Sequence, residues 1–445
     1  MYRMRTSDVE DSRWKQLQFA AMKWFSMLFL TVVMTNDFGV LAAPLSSPGV
    51  QTLARLRRPI SVETDGQPLK DVLATIGDEA GLAIKCDWDA LAMHGKITSA
   101  TRVKLKLHKV RADTVLRLLF KSVADEKFKM DFVIGHQSLA ISSGAAFAAQ
   151  KKTQSIDLED LDRQVRKNDI GTIVFASRRD LIHRVVALIE THIDHSIWET
   201  NGGRAGNIVV DPTKARIDVT APAPTLQRVE MFITDLQLIA RKGTPRRDTR
   251  TAGADTRAAS QLLKVVPAGF KKTPLIDVIN SFQKNTGANI FVNWAKLKAA
   301  GIEKGRPVTI NVPAIPADKL LEVLIDELTL MPDKKRRPID FVIHDGVIYV
   351  SDFDDLNSLT DRRYHEARAI YRKASMKMSQ IRRAKVMDLI HTSVGRPQRW
   401  RTGENGDDAK GLWAASEFLG VIIVQTIPVQ HNNVATVIRR NIPRR

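Results

Sequence analysis

Cysteine is nearly missing from this sequence: Cys86 is the one cysteine in 445 residues. No disulfide can form within the chain, so burial and polar pairing must hold the fold. Cys86 follows Ile84-Lys85 and precedes Trp88 in a strand-like stretch with no charge pattern that would lower a thiol pKa. We read it as a small core residue and not a reactive thiol. Acidic residues are also scarce, 49 against 68 Lys and Arg, which gives a net charge of +19 and a pI near 10.0. Such a field attracts anionic partners and says nothing about fold. Catalytic signatures are wanting too. There is no HExxH, no nucleophile elbow, no Gly-Lys-Ser/Thr phosphate loop and no Gly-rich nucleotide fingerprint.

What is present begins with an apolar run. Lys23 is followed by WFSMLFLTVVM, eleven residues and too few to span a bilayer as a helix, and then by TNDFGVLAA. The pattern predicts a secretory signal peptide over 1–42, with Val40 and Ala42 at the small-residue positions for cleavage after Ala42. Asp8, Glu10 and Asp11 fit such a segment poorly, and Met22-Lys23 opens it better, so we expect translation to start at Met22. An uncleaved anchor is the alternative. The expected location is the periplasm or cell envelope.

The rest of the chain is written twice. FVIGHQSLAIS at 132–142 returns as FVIHDGVIYVS at 341–351. Over 59–143, alternation at Ile60 and Val62 predicts a strand, and helical spacing of Leu69, Val72, Leu73 and Ile76 ends at Gly81. LAIKCDW and VKLKLHKV predict two more strands, Ala112–Ser122 a helix, and the FVI stretch a hairpin. Residues 261–352 repeat this: Pro68-Leu69 matches Pro274-Leu275, Gly81 matches Gly287, Trp88 matches Trp294 and Ala112-Asp113 matches Ala317-Asp318. A second module, β-α-β-β-α, occupies 153–242 and 366–442, with Trp198 matching Trp400 and Val229 matching Val434. The intervening 243–260, GTPRRDTRTAGADTRAAS, is polar and lacks periodicity, and we read it as a flexible linker between halves that fold separately. The predicted class is α+β, a tandem duplication of two small sheet-plus-helix modules.

The phrase GQPLKDVLATIGDEAGLAIKCDW (KTPLIDVINSFQKNTGANIFVNW in the second copy), the VKLKL strand and the closing FVI hairpin resemble the STN domain, the short N-terminal domain of secretins and TonB-dependent transducers. SIWETNGGRAGNIVV, RIDVTA and the helix after them are similar to a small domain found beside STN-like domains in exported planctomycete proteins. Their order also resembles the ring-building repeats of secretin periplasmic regions. The chain closes at IRRNIPRR, directly after the last module, so the resemblance implies the adaptor half of such machines and not a pore. Fold analogy alone assigns no function.

Candidate chemistry is sparse. His192-Ile193-Asp194-His195 has a spacing that could converge on a metal, but the second copy carries Ser393, Val394, Gly395 and Arg396 there; we read a polar turn at a helix end. Asp352, Asp354 and Asp355 look like part of a calcium loop without its spacing or closing Glu. Gly203-Arg204-Ala205-Gly206 and Gly403-Glu404-Asn405-Gly406 form GxxG, which in KH domains clamps a nucleic-acid backbone between helices. Here it leads into a strand, and we read a sharp loop. The candidate partner-binding or structural loop is therefore Trp198, Gly202, Gly203, Arg204 and Gly206, with Trp400, Gly403 and Gly406. The tryptophans are plugs on the small cores or, alternatively, partner contacts. Lys334, Lys335, Arg336, Arg337, Arg439, Arg440, Arg444 and Arg445 are read as solvated tips that could touch an anionic polymer. No catalytic residue, cofactor or metal is expected, and no small-molecule substrate. The expected function is an exported, non-catalytic envelope adaptor that binds a protein partner by strand addition at the STN-like sheet edges. Binding of an anionic polymer or nucleic acid is the alternative, a homo-oligomer is a further candidate, and a hydrolase with an unrecognised site is a third class.

Overall fold

Strand β1 (Pro59–Pro68) buries Ile60, Val62 and Thr64 and pairs antiparallel with β3 (Arg102–Arg111), which buries Val103, Leu105 and Leu107. The computed structural model describes residues 47–124, 128–167, 175, 177–241, 249–312, 314–329, 339–359, 361–371, 376–394, 413–426 and 430–442. The expected signal segment 1–42, the loop with Trp400, Gly403 and Gly406, the run Lys334–Arg337, Arg444 and Arg445 lie outside them. Between β1 and β3 run the helix Leu69–Ala80, β2 (Ala83–Cys86) and the helix Trp88–Gly95. The first helix ends where Gly81 takes the left-handed conformation, φ 69°. Asp87 caps the second, its carboxylate accepting from the Ala90 amide at 3.1 Å, a contact worth about 1 kcal/mol. The helix Ala112–Val123 and the hairpin β4 (Met130–Ile134) and β5 (Ser138–Ser143) complete the module. The three-stranded sheet runs β2-β5-β4, with β2 parallel to β5.

The second copy repeats this topology. After a short β9 (Val265–Val266), β10 (Gly269–Pro274) pairs with β12 (Pro307–Asn311). β11 (Asn289–Val292) lies parallel to β15 (Val347–Asp352), which pairs with β14 (Ile339–His344); β13 (Ile315–Pro316) pairs with β9. Even the caps recur: Asn293 stands where Asp87 does, and Asp352 caps the helix Phe353–Ser358 as Ser143 caps Gly144–Ala149. The second module type is β6 (Lys152–Asp157), the helices Glu159–Lys167 and Arg178–His192, the hairpin β7 (Asn207–Asp211) and β8 (Arg216–Ala221), and the helix Ala223–Ala240. Its sheet order is β6-β8-β7, all antiparallel. Its duplicate is β16 (Asp361–Glu366), the helix Met376–Ser393, β17 (Ala414–Phe418), β18 (Val421–Thr426) and the helix Gln430–Arg440, in the order β16-β18-β17. That module starts at Asp361, ahead of the expected 366.

Two features correct the sequence reading. Most of the expected linker is a helix, Thr249–Leu262. It has a counterpart in Ser47–Leu56, also outside the predicted bounds, and both brace their module. Arg55 donates to the Gly81 carbonyl and Gln261 to the Gly287 carbonyl, each pair 26 residues apart. Thr52 donates to the Gly135 carbonyl and accepts from the Gln137 amide, while Asp255 accepts from the Gly346 amide, so each helix ties down the turn of its terminal hairpin. The pattern is faint because the helix touches its neighbours through alanine: a Cβ at Gly346 would stand 2.9 Å from that of Ala254. Alanine favours helix without marking an apolar stripe.

The halves are also not separate. Phe291, Val342, Val347, Tyr349 and Leu356 of the second copy of the first module type share one apolar cluster with the core of the first copy. Phe418, Leu419, Val421 and Ile423 do the same between the second modules. Fragments 47–241 and 249–445 would each expose these side chains, so we predict that they co-elute as a one-to-one complex in size-exclusion chromatography. Independent monomeric elution of both would contradict a shared core.

Candidate functional site

The Trp–Gly loop is closed by backbone. After the helix Arg178–His192 the chain forms two single turns, His195–Ile197 and Glu199–Asn201. Gly202 then adopts φ 79°, and the Gly203 amide returns to the Trp198 carbonyl at 2.8 Å. The Gly206 amide donates to the Ile197 carbonyl and the Glu199 amide to the Gly206 carbonyl. Glycine is required here by contact: a Cβ on Gly203 would lie 2.2 Å from the Ile197 carbonyl carbon, and one on Gly206 would lie 2.6 Å from the Trp198 ring. The indole is fully buried, with its Nε1 donating to the Ile193 carbonyl at 2.6 Å. It offers no surface to a partner. Arg204 is exposed, and its carbonyl accepts from Lys151 at 2.8 Å.

The His-Ile-Asp-His residues diverge. His192 is buried against Phe232, with ring centroids 6.0 Å apart. Asp194 turns to Thr225 at 2.6 Å and Arg228 at 2.8 Å. His195 meets Asn201 and the Glu190 carbonyl. Arg228 also reaches Asp131 on β4 at 3.2 Å and so ties the two modules of the first copy. Burial opposes its charge, yet the two carboxylates hold its pKa above the usual guanidinium value. Among the described residues no group of three or more His, Cys, Asp or Glu is placed to hold a metal, and no helix is long and apolar enough to cross a membrane.

Asp355 holds the polar centre that sequence reasoning missed. Its Oδ2 accepts from the Tyr349 hydroxyl at 2.7 Å, the Ser351 hydroxyl at 2.7 Å and the Asn293 amide at 2.9 Å. Its Oδ1 accepts from the Lys121 ammonium of the first copy at 2.8 Å. Lys121 also sits 5.0 Å over the Tyr349 ring. Burial alone would raise the Asp355 carboxyl; Lys121 and the hydroxyls of Tyr349 and Ser351 bring it below the usual carboxylate range. Asp352 is a helix cap, and the Asp354 side chain lies outside the described residues. Nearby, Asp345 accepts from Thr114 at 2.6 Å across the same interface, and its carboxyl is likewise lowered despite burial, chiefly by His344 and Arg111.

The interface between the second modules has the opposite electrostatics. Glu417 is buried, and burial raises its carboxyl against the pull of Arg383 at 3.3 Å. Asp235 accepts from the Tyr364 hydroxyl and is also raised by burial. The Cys86 thiol is pushed up to about 12, first by burial and then by the Asp87 charge, so it stays protonated at neutral pH.

Three sheet edges differ in cover. The Ile134 amide on β4 donates to Gln227 Oε1 at 2.8 Å, and Gln227 Nε2 donates back to the Ile134 carbonyl at 2.5 Å. Asn289, opening β11, clasps the backbone of His108 in the first copy the same way, at 2.6 and 2.9 Å. β2, the duplicate of β11, has β5 on one side and no strand on the other among the described residues; Ala83 and Lys85 on it are exposed.

Two predictions follow from packing and charge. Trp198→Ala removes a fully buried indole and should lower stability by about 3–5 kcal/mol, read as an earlier urea midpoint; an unchanged midpoint would make Trp198 dispensable to the core. The second concerns pH. Acids with raised pKa, Glu417 and Asp235, oppose folding while ionised, so mild acidification relieves them. Asp355 has a depressed pKa, so its contribution is intact above the ordinary carboxylate value, about 4, and is lost as pH falls through its folded value. Urea midpoints should hold or rise on first acidification and then fall, and Asp355→Asn should flatten the final fall. A midpoint that declines steadily from neutrality in both proteins would show the assignment wrong.

Neither a protein-family model nor a curated protein matches the sequence. Among solved structures, the chain is similar to one titled "The crystal structure of enterotoxigenic Escherichia coli GspC-GspD complex from the type II secretion system". The match has 12% identity and a TM-score of 0.14, and covers 40% of this chain and 98% of that one.

Proposed function

We propose that the protein is an exported, non-catalytic adaptor that binds a protein partner by strand addition at β2. One observation carries this reading. β11 is clasped at its edge by the first copy through Asn289, whereas β2, its duplicate, has no strand on that side among the described residues. An open edge presents unpaired amides and carbonyls that a guest strand satisfies. Lys85 on that edge discourages indiscriminate pairing and favours a guest with an acidic residue opposite it. The buried polar groups support a scaffold: Asp355, Asp345, Arg228 and Glu417 each join one module to another or hold a turn. The apolar run after Lys23 supports export.

A second reading, binding of an anionic polymer, is favoured by Lys304, which lies 5.5 Å over the half-buried Trp294 ring, with Lys296 and Lys298 on the same short helix. Counterion release would make such binding fall steeply with salt, while strand addition depends on it far less.

The test is a photo-crosslinking residue at Lys85 in the protein expressed in its own envelope, compared with the same chain carrying Ile84→Pro. Proline removes an amide from the edge without changing the charge. We expect a discrete protein adduct at Lys85 that Ile84→Pro abolishes while the urea midpoint shifts little. An adduct that persists with Ile84→Pro would refute strand addition. Turnover of an ester, phosphoester, glycoside or peptide substrate that one substitution abolishes would refute the non-catalytic reading.

A further inference from the structure

The helix Met376–Ser393 is apolar on two sides. Val386 and Ile390, with Val394 just past its end, are buried in the core of the last module. Met378, Ile381 and Ala384, spaced by three, lie on the other side and are exposed, Met378 at 45% and Ile381 at 53%. Residues three apart are neighbours on a helix, so these side chains form one short stripe. A surface helix ordinarily turns polar residues to solvent, and one that is apolar on both sides calls for a second apolar environment.

The first copy shows that the fold does not require this stripe. Its helix Arg178–His192 buries Val185 and Ile189, with Ile193 just past its end, in the places of Val386, Ile390 and Val394. In that register Ser177, Asp180 and His183 hold the places of Met378, Ile381 and Ala384, and all three are exposed. Ser177 caps its helix, accepting from the Asp180 amide at 3.1 Å and donating to the Asp180 carboxylate at 2.8 Å. The second copy's helix starts ahead of that place, at Met376, so Met378 stands inside the helix where the first copy has its cap. A polar helix start in one copy is an apolar stripe in the other, while the buried face is the same.

The charge beside the stripe has one sign. The residues Met376–Lys385 include Lys and Arg but no Asp or Glu. Lys385 is exposed one turn beyond Ile381, and Arg382 is half-buried, its Nη1 donating to the Ile370 carbonyl at 2.9 Å. Asp388, exposed further along, ends the basic segment.

We propose that this stripe docks on the surface of an anionic bilayer, with Met378 and Ile381 entering the headgroup boundary and Lys385 beside the lipid phosphates. Such a surface supplies, in one place, the apolar medium and the negative charge that this helix start lacks. A second copy of the chain is a poorer occupant, because each copy carries a net charge of +19 and repels the other. The helix lies on the membrane without crossing it. Val386 and Ile390 hold its other side in the module core, and among the described residues no helix is long and apolar enough to span a bilayer. With so few apolar side chains entering, charge supplies much of the attraction, and the contact weakens in salt. It goes beyond the adaptor reading, since the stripe does not include β2 and its test does not depend on strand addition.

The test places an environment-sensitive fluorophore on the thiol of Ala384→Cys in the full chain, and on His183→Cys in a second chain as the matched control. Cys86 is half-buried with its thiol pushed up to about 12, so it takes little dye at neutral pH. Vesicles of phosphatidylglycerol in phosphatidylcholine should shift the emission of the probe at 384 to shorter wavelength and leave that at 183 unmoved. Phosphatidylcholine alone, or inorganic polyphosphate, should shift neither. Ile381→Gln and Lys385→Glu, both at exposed positions, should each raise the lipid concentration at half-shift by at least about fivefold, with unchanged urea midpoints. No shift at 384, an equal shift at 183, or an equal shift with phosphatidylcholine alone or with polyphosphate would overturn the proposal. A shift that follows protein concentration without lipid would give the stripe to a second copy and overturn it as well.

Discussion

The Asp355 carboxylate holds the two halves of the molecule in register. It is buried, and four donors converge on it, three from its own copy and the Lys121 ammonium from the other. A charge removed from water in this way is tolerated only when it is paired and fully hydrogen-bonded. Its demands therefore fix the Tyr349 hydroxyl, the Asn293 amide and the position of the Ala112–Val123 helix relative to β15. The apolar contacts around it, Phe291 stacked on Tyr349 at 5.1 Å among them, would accept many small slides. The carboxylate accepts one placement. Burial of apolar surface supplies the attraction between the copies, and the ionic cluster supplies the register.

The second interface meets the same problem differently. Its sheet face brings Phe418, Val421 and Ile423 to the contact, and burial raises the carboxyls of its acids, Glu417 and Asp235. One tie between the halves thus needs its carboxylate charged, while the other is eased when its carboxylates are neutral. Each half is held at both ends by contacts of different electrostatic character, and no single change of ionic conditions loosens both in the same direction.

Much of the fold was legible because it was written twice. Gly81 and Gly287 end equivalent helices, and the two FVI hairpins are equivalent pairs. What escaped was whatever the copies do not share. Asp355, Tyr349 and Lys121 have no counterparts of the same type in the other copy, so a search for recurring polar sets passes over them. The Thr249–Leu262 helix was hidden because its contacts run through alanine and one carboxylate and not through an apolar stripe. The Trp–Gly loop showed itself by residue type, yet the reason for its glycines, the approach of the Ile197 carbonyl and the Trp198 ring, is visible only in three dimensions.

The bracing helices have one more consequence. Each unit of the first module type begins with a helix whose side chains grip the turn of its final hairpin, Thr52 in the first and Asp255 in the second. The beginning and the end of each unit are therefore held side by side. A segment whose two ends emerge together can be spliced into a chain, doubled or passed to another gene with little strain on what flanks it. The same stitch that steadies the unit makes it transferable, and the duplicated architecture of this chain is a record of that property in use.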